Sequence, residues 1–540
     1  MEYLIKNAVI ATMDKEKPFA ASAAVREGKF VFCGGEKEAE GFVSNGAEVL
    51  DCGGAFVMPG FNDSHMHYLH YVKSKLSVDL SGADSVEDIV RRMKAALDSY
   101  NPKSGLWLVG EGWNQDYFTK GERRFPTAAD LDKITLEHPV LIMRTCYHVG
   151  VLNAKAMMLI GLDAAEAAKQ GDFAEKDSFG NPTGVVKENF FDDIKSRLPY
   201  PNLETLIEMM LKAQKDLFAK GITAVQSDDM KYAPEGEAYE MLEKLKAASV
   251  DGGLKLRYAE QALSQTREEL EEFFSHDFDN FRGGSFKVSC VKLISDGSLG
   301  ARTALLEKPY SDEPKTKGIA IYTQEELDCF IEECQRRNIP AAVHAIGNGA
   351  LEMCQRAFAS AKAKYPEFSP RHGIVHCQIT SKEQVLKFRE LGLLAYTQPI
   401  FIDYDMHIVR DRVGDELAET SYAWKDYLDL GVNESFGTDC PVESFDPLRG
   451  VYCAVTRRDT KGRGPYLPDE AISAYDALYA YTAAGAYASG DEERYGKIKP
   501  GMLADFVLLD RDLTKCPPEE ILRAKVLKTF VGGECVYSAK

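Results

Sequence analysis

The segment Pro59-Gly60-Phe61-Asn62-Asp63-Ser64-His65-Met66-His67 carries two imidazoles two residues apart. Side chains at i and i+2 of a strand project the same way, so His65 and His67 face one side. Two neutral imidazoles held there are half of a site for a divalent metal. Alone, such a pair is as readily a loop accident. The chain has only 10 histidines, however, and two more stand where apolar, β-branched runs end. These are His344 in Ala341-Ala342-Val343-His344 and His376 in Gly373-Ile374-Val375-His376. Asp439 follows Ser435-Phe436-Gly437-Thr438, where a carboxylate can bind a metal and take a proton from its water, or can cap the next helix. Lys292 lies within Cys290-Val291-Lys292-Leu293-Ile294. An ammonium in apolar company is costly unless paired, for example with Asp296, or chemically changed. Burial beside cations would leave a neutral amine able to take up carbon dioxide and bridge two metals as a carbamate.

Positioning these groups requires strands that end together. Eight strand-like runs alternate with helical stretches, at 55–61, 222–227, 254–259, 286–295, 340–344, 373–377, 393–397 and 434–438. That alternation is the pattern of βα units, and eight of them close a TIM barrel with its site at the C-terminal ends of the strands. Helices are expected over 323–337 and 381–391. The gap between the first two runs is far longer than a βα connection needs, so roughly 72–200 is read as an inserted subdomain. Both termini are β-rich: Ala23–Arg26 and Phe30–Cys33 flank a turn at Gly28, and Thr529–Val531 and Cys535–Tyr537 flank Gly532-Gly533. Neither end is large enough to stand alone, so 1–58 and 496–540 are expected to build one small β-sandwich beside a barrel domain of 59–495.

Composition narrows the function. The 540 residues are 45% hydrophobic and 28% charged, as in a folded globular protein. Lys and Arg number 65 against 84 Asp and Glu, a net charge of −19, which repels nucleic-acid backbones and anionic membranes. The 12 cysteines are scattered without a Cys-x-x-Cys pair, which suits a reducing cytoplasm. No signal peptide or long apolar run is seen, and a cytoplasmic location is expected. There is no P-loop, and Gly347-Asn348-Gly349 is not a dinucleotide fingerprint.

The order His-x-His, Lys, His, His, Asp on strands one, four, five, six and eight resembles the amidohydrolase superfamily. Val291-Lys292-Leu293-Ile294-Ser295-Asp296-Gly297-Ser298-Leu299-Gly300-Ala301-Arg302, Val343-His344-Ala345-Ile346-Gly347-Asn348 and Gly437-Thr438-Asp439-Cys440-Pro441 are similar to its YtcJ-like branch, amidohydrolase family 3, which includes N-substituted formamide deformylase. The resemblance implies a distorted (β/α)8 barrel with a β-sandwich built from both termini. It implies metal ligation by His65, His67, Lys292, His344, His376 and Asp439, with Asp439 also the catalytic proton shuttle. One or two divalent ions are expected per chain, zinc first. The activity implied is hydrolysis of a small-molecule amide, N-substituted formamide or cyclic amide by metal-activated water. Deamination of a heterocycle at a one-metal site is an alternative, and a catalytically silent interaction scaffold is another; a homodimer is compatible with either. Candidate substrate contacts are Arg302, as an anion clamp or a salt-bridge partner; Trp113 and Tyr117, as pocket walls or core; and His148, Asp296 and Gln398. Trp113, Tyr117 and His148 lie in the insertion, which could lid the mouth.

Overall fold

The computed structural model describes residues 2–98, 100–101, 105–146, 148–277 and 281–539. Eight strands form one parallel sheet in chain order: β1 (Phe61–Met66), β2 (Ile222–Ser227), β3 (Arg257–Leu263), β4 (Phe286–Ile294), β5 (Ala341–Ala345), β6 (Gly373–His376), β7 (Leu394–Thr397) and β8 (Glu434–Phe436). β5 and β6 are buried along almost their whole length, as apolar strands covered on both faces must be. The last strand returns to the first: the His65 carbonyl accepts from Thr438 N at 3.2 Å and Asp439 N at 2.8 Å. Asp63 adds a second tie, accepting from Thr438 N at 3.0 Å and Thr438 Oγ1 at 2.5 Å. The ring is thus nearly closed, a TIM barrel. The expected helices form over Gln324–Arg336 and Lys382–Leu391, each opened by a capping box, on Thr323 and Ser381.

Two strands differ from their expected places. The run at 55–61 divides in two: Phe56–Pro59 joins a separate sheet, and β1 starts only at Phe61. The chain crosses between the sheets at Gly60, where a Cβ would lie 2.2 Å from Thr223 Oγ1. The third strand is Arg257–Leu263 rather than 254–259, because it buries the polar Glu260 and Gln261, which interrupt the apolar pattern.

Both termini build sheets. Lys29–Gly34, Ser22–Arg26, Glu2–Lys6 and Glu48–Asp51 form a four-stranded sheet. A six-stranded sheet runs through Glu534–Ser538, Val526–Val531, Phe506–Leu509, Phe56–Pro59, Val9–Ala11 and Phe19–Ala20. Tyr3, Val25, Phe30, Val57, Phe506 and Phe530 share one apolar core beneath them, with the Phe506 and Phe530 rings stacked at 4.4 Å.

The chain divides into two compact units, one of residues 1–70 and 209–540 and the other Tyr71–Glu208. The second unit has its own six-stranded sheet, ordered Ala174–Lys176, Pro182–Lys187, Val149–Leu152, Val140–Arg144, Leu108–Trp113 and Ser77–Asp79, and its own buried apolar clusters. Among the described residues no helix is long and apolar enough to cross a membrane.

Candidate metal centre

The strand ends deliver the site. His65 sits on β1 and His67 just beyond it, Lys292 on β4, His344 on β5 and His376 at the end of β6, while Asp439 lies past β8. All six line one cavity of about 390 Å³. Ligand atoms of His65, His376 and Asp439 fall within 4.8 Å of one another, and all three residues are buried. Asp439 Oδ1 lies 3.2 Å from His65 Nε2 and 2.9 Å from His67 Nε2. The His65 ring is 5.2 Å from that of His376, which is 4.4 Å from the ring of His344. His376 and Asp439 both adopt positive φ, +80° and +59°, conformations that residues with side chains seldom take. Gly437 lets β8 pass close to β1: a Cβ there would sit 2.5 Å from His65 N.

Burial and neighbouring charge set the protonation states. Burial, with the nearby Lys292 cation, drops the His65 imidazole to about 4, and burial drops His376 well below its usual value. Burial opposes charge on His67 too, but the Asp228 and Asp439 carboxylates outweigh it and raise His67 to about 9. Burial lowers the Lys292 amine to about 8, a direction that Asp228 only partly offsets. Burial alone would raise Asp439, yet the surrounding imidazoles hold it well below the carboxylate range.

The donors fit a divalent ion. Lys292 Nζ, His65 Nδ1, Asp228 Oδ2 and Asp439 Oδ1 are buried without a hydrogen-bond partner, an arrangement that costs stability unless something else is bound. Asp439 Oδ1 is close to two imidazole nitrogens but not hydrogen-bonded to them, so these atoms point to a shared centre rather than at each other. Imidazole nitrogens with a carboxylate suit a transition ion.

Comparison with known proteins agrees with this geometry. An amidohydrolase family model matches residues 48–537. The chain belongs to the amidohydrolase family. It is 30% identical over 532 residues to the putative amidohydrolase YtcJ of Bacillus subtilis (strain 168), covering 98% of each chain. It is 25% identical to the N-substituted formamide deformylase of Arthrobacter pascens, over 99% of this chain and 98% of the relative. An uncharacterized metal-dependent hydrolase from Pyrococcus horikoshii OT3 superimposes with a TM-score of 0.73 at 30% identity, covering 96% of this chain and 99% of that one. The protein is a hydrolase.

The remaining candidates of this amidohydrolase separate by their partners. Gln398 Oε1 accepts from His376 Nδ1 at 2.8 Å while its Nε2 donates to the Tyr396 carbonyl at 3.1 Å, so the amide is fixed and His376 is left to present Nε2. Asp296 accepts from Leu305 N at 2.9 Å, Ile346 N at 3.0 Å and Gly347 N at 2.9 Å; it ties the loop after β4 to the loop after β5 rather than pairing with Lys292. His344 Nε2 lies 3.2 Å from the Gly297 carbonyl and 3.3 Å from Asp296 Oδ1, outside the tight group of three. Arg302 does not line the cavity: it forms a two-pronged pair with Asp312 at 3.0 and 2.9 Å, shared with Arg412. Trp113 is fully buried in the apolar core of the second unit, edge-on to Phe125, so it packs that core. Tyr117 is 72% exposed. His148 is exposed and pairs with Glu188 at 3.0 Å.

One residue of the site escapes sequence reasoning. Asp228, directly after β2, bonds His67 Nδ1 and lies 3.9 Å from Lys292 Nζ. Burial would raise its carboxyl, but His67, Lys292 and Lys231 hold it well below the usual range. Its signal is weaker than that of His344 and His376, because Gln226 and Ser227 separate Asp228 from the β-branched run Ile222-Thr223-Ala224-Val225.

Proposed function

We propose that this amidohydrolase cleaves the C–N bond of an amide, an N-substituted formamide or a cyclic amide, with Asp439 as the proton shuttle. The observation that carries the reading is the convergence of His65, His376 and Asp439 within 4.8 Å, with buried polar atoms left unpaired around them. The likeness to a protein named N-substituted formamide deformylase supports the bond class. A divalent ion bound here, zinc in our reading, would polarise the substrate carbonyl and acidify the attacking water.

The chain's own groups then do the following. His65, His67, His376 and Asp439 would hold the ion, with Asp228 orienting His67 and Gln398 orienting His376. Asp439, kept ionised, accepts the proton of the attacking water and returns it to the departing nitrogen, so that an amine leaves neutral. Lys292, its amine lowered to about 8, would join as a carbamate bridge if two ions bind. A one-ion centre is a second reading, favoured by His344 facing the Gly297 carbonyl, and it would suit heterocycle deamination.

Metal analysis of purified protein, with a panel of formamides, cyclic amides and amino-heterocycles, tests both readings. Amide turnover with about two ions per chain supports the first, and deamination with one ion the second. A metal-loaded protein that is inert on the whole panel while binding a partner tightly would favour a scaffold role.

A further inference from the structure

Beyond the metal ligands, the same cavity has a second polar wall, formed by Gln378 after β6, Asp405 after β7 and Glu443 after β8. Every polar atom that this wall leaves available is an acceptor. Asp405 Oδ2 accepts from Gln378 Nε2 at 2.6 Å and from the Tyr422 hydroxyl at 2.7 Å. Gln378 Nε2 also donates to the Tyr422 hydroxyl oxygen at 3.1 Å, so the amide is oriented, and its Oε1 is left without a partner although the residue is only 4% exposed. The arrangement is firmly built. Tyr422 N donates to the Gln378 carbonyl at 2.9 Å, and the Tyr422 carbonyl accepts from Arg457 Nη1 at 3.0 Å. The Arg457 guanidinium is itself buried against Trp424, 4.1 Å from the ring centre.

Among the described residues neither Asp405 nor Glu443 has a cationic side chain at ion-pair distance; the nearby Arg449 pairs with Asp403 at 3.5 Å. Burial raises Asp405 to about 6; burial with the nearby Asp403 and Asp405 carboxyls, only partly offset by Arg449, raises Glu443 to about 7. Phe401, stacked on His376, and Tyr404 line the cavity beside them. Two carboxyls and an unpaired amide oxygen suit one kind of group, a nitrogen cation.

We propose that Asp405, Glu443 and Gln378 form a specificity subsite for a protonated amine carried by the substrate. The inference rests on the hydrolase reading above and adds to it a substrate class, amides or formamides bearing an ammonium group.

The test compares short ω-aminoalkyl formamides with n-alkyl formamides of equal length, at mildly alkaline pH. Metal-loaded wild type should favour the cationic series in kcat/KM by about tenfold or more, the scale of a charge-assisted hydrogen bond. Glu443→Gln and Asp405→Asn should each reduce that preference about tenfold. Glu443 accepts from the backbone of the adjacent Ser444, a local bond that glutamine can keep, so its variant keeps the test open if Asp405→Asn fails to fold. Equal or better use of the n-alkyl series, or an unchanged preference in Glu443→Gln, overturns the subsite. If no amide is turned over, the hydrolase reading falls, and calorimetric titration with benzylammonium decides the subsite alone. Tighter binding to wild type than to Glu443→Gln upholds it; equal binding or none rejects it.

Discussion

The two ends of the barrel hold cavities of similar size and opposite character. At the C-terminal ends of the strands the cavity is about 390 Å³; at the other end, where β7 and β8 begin, one of about 420 Å³ is lined by Leu394, Val432, Asn433, Glu434, Lys15 and Lys497. Both contain a buried carboxyl. At the lower end Glu434 accepts from Thr397 Oγ1 at 2.8 Å, and Asn433 Nδ2 donates to the Ala484 carbonyl at 3.2 Å. Burial raises Glu434 well above the carboxylate range, only partly offset by the Thr397 bond and the Arg457 cation. At the upper end Asp439 is held ionised and its Oδ1 is unpaired. Volume therefore does not tell the two ends apart. Convergent donors whose bonds remain unmade do, and in a βα barrel they gather where strands deliver their last side chains.

Substitutions at the two ends sharpen this contrast. Asp439→Asn should lower kcat by about 10³-fold, the range of a lost general acid–base, while circular dichroism stays unchanged. Near-normal turnover would remove Asp439 from proton transfer. Gln398→Ala, which frees His376 Nδ1, should weaken metal affinity by about 10–100-fold in a competitive chelator titration. Glu434→Gln at the lower end should change kcat by less than about twofold, because glutamine keeps an oxygen to accept from Thr397; a large loss would make the lower cavity functional.

In the second unit the expected effect is on stability alone. Asp130 there accepts from Arg124 Nη1 at 2.6 Å and Thr127 N at 3.0 Å. Burial would raise its carboxyl, but Arg124, Lys133 and the Thr127 backbone more than offset this and hold it below the usual value of 3.8. A carboxyl depressed on folding stabilises above its unfolded value, and that contribution is lost as pH falls through its folded value. Asp130→Asn should cost about 1 kcal/mol at neutral pH and little in strong acid, read by hydrogen exchange of Ala128–Leu131. An equal cost at both pH values would rule out the charge as its source.

Much of the site was legible because its signals are local. A strand announces itself by β-branched apolar residues, and its last side chain sits one or two positions later, which is how His344, His376 and Asp439 could be read from neighbours alone. β3 was misplaced for the converse reason: Glu260 and Gln261 look exposed in sequence, and only the acceptance of the Asp229 and Met230 amides by Glu260, at 2.8 and 3.1 Å, makes the burial tolerable. Arg302 and Trp113 show the same limit. A guanidinium can clamp a substrate or an aspartate, and an indole can line a pocket or fill a core. Only the placement of Asp312 and Phe125 chooses between those roles.

By itself, the order of residues determined most of the barrel's strands, the side chains offered at their ends and the net negative charge, because periodicity and charge are properties of neighbours and sums. Tertiary structure alone decided which of those side chains meet. Asp228 reaches His67 across 161 positions, and Gln378 reaches Asp405 across 27. Such pairings depend on closing the sheet, a long-range event in which each buried polar atom either finds a partner or is left free to bind something else.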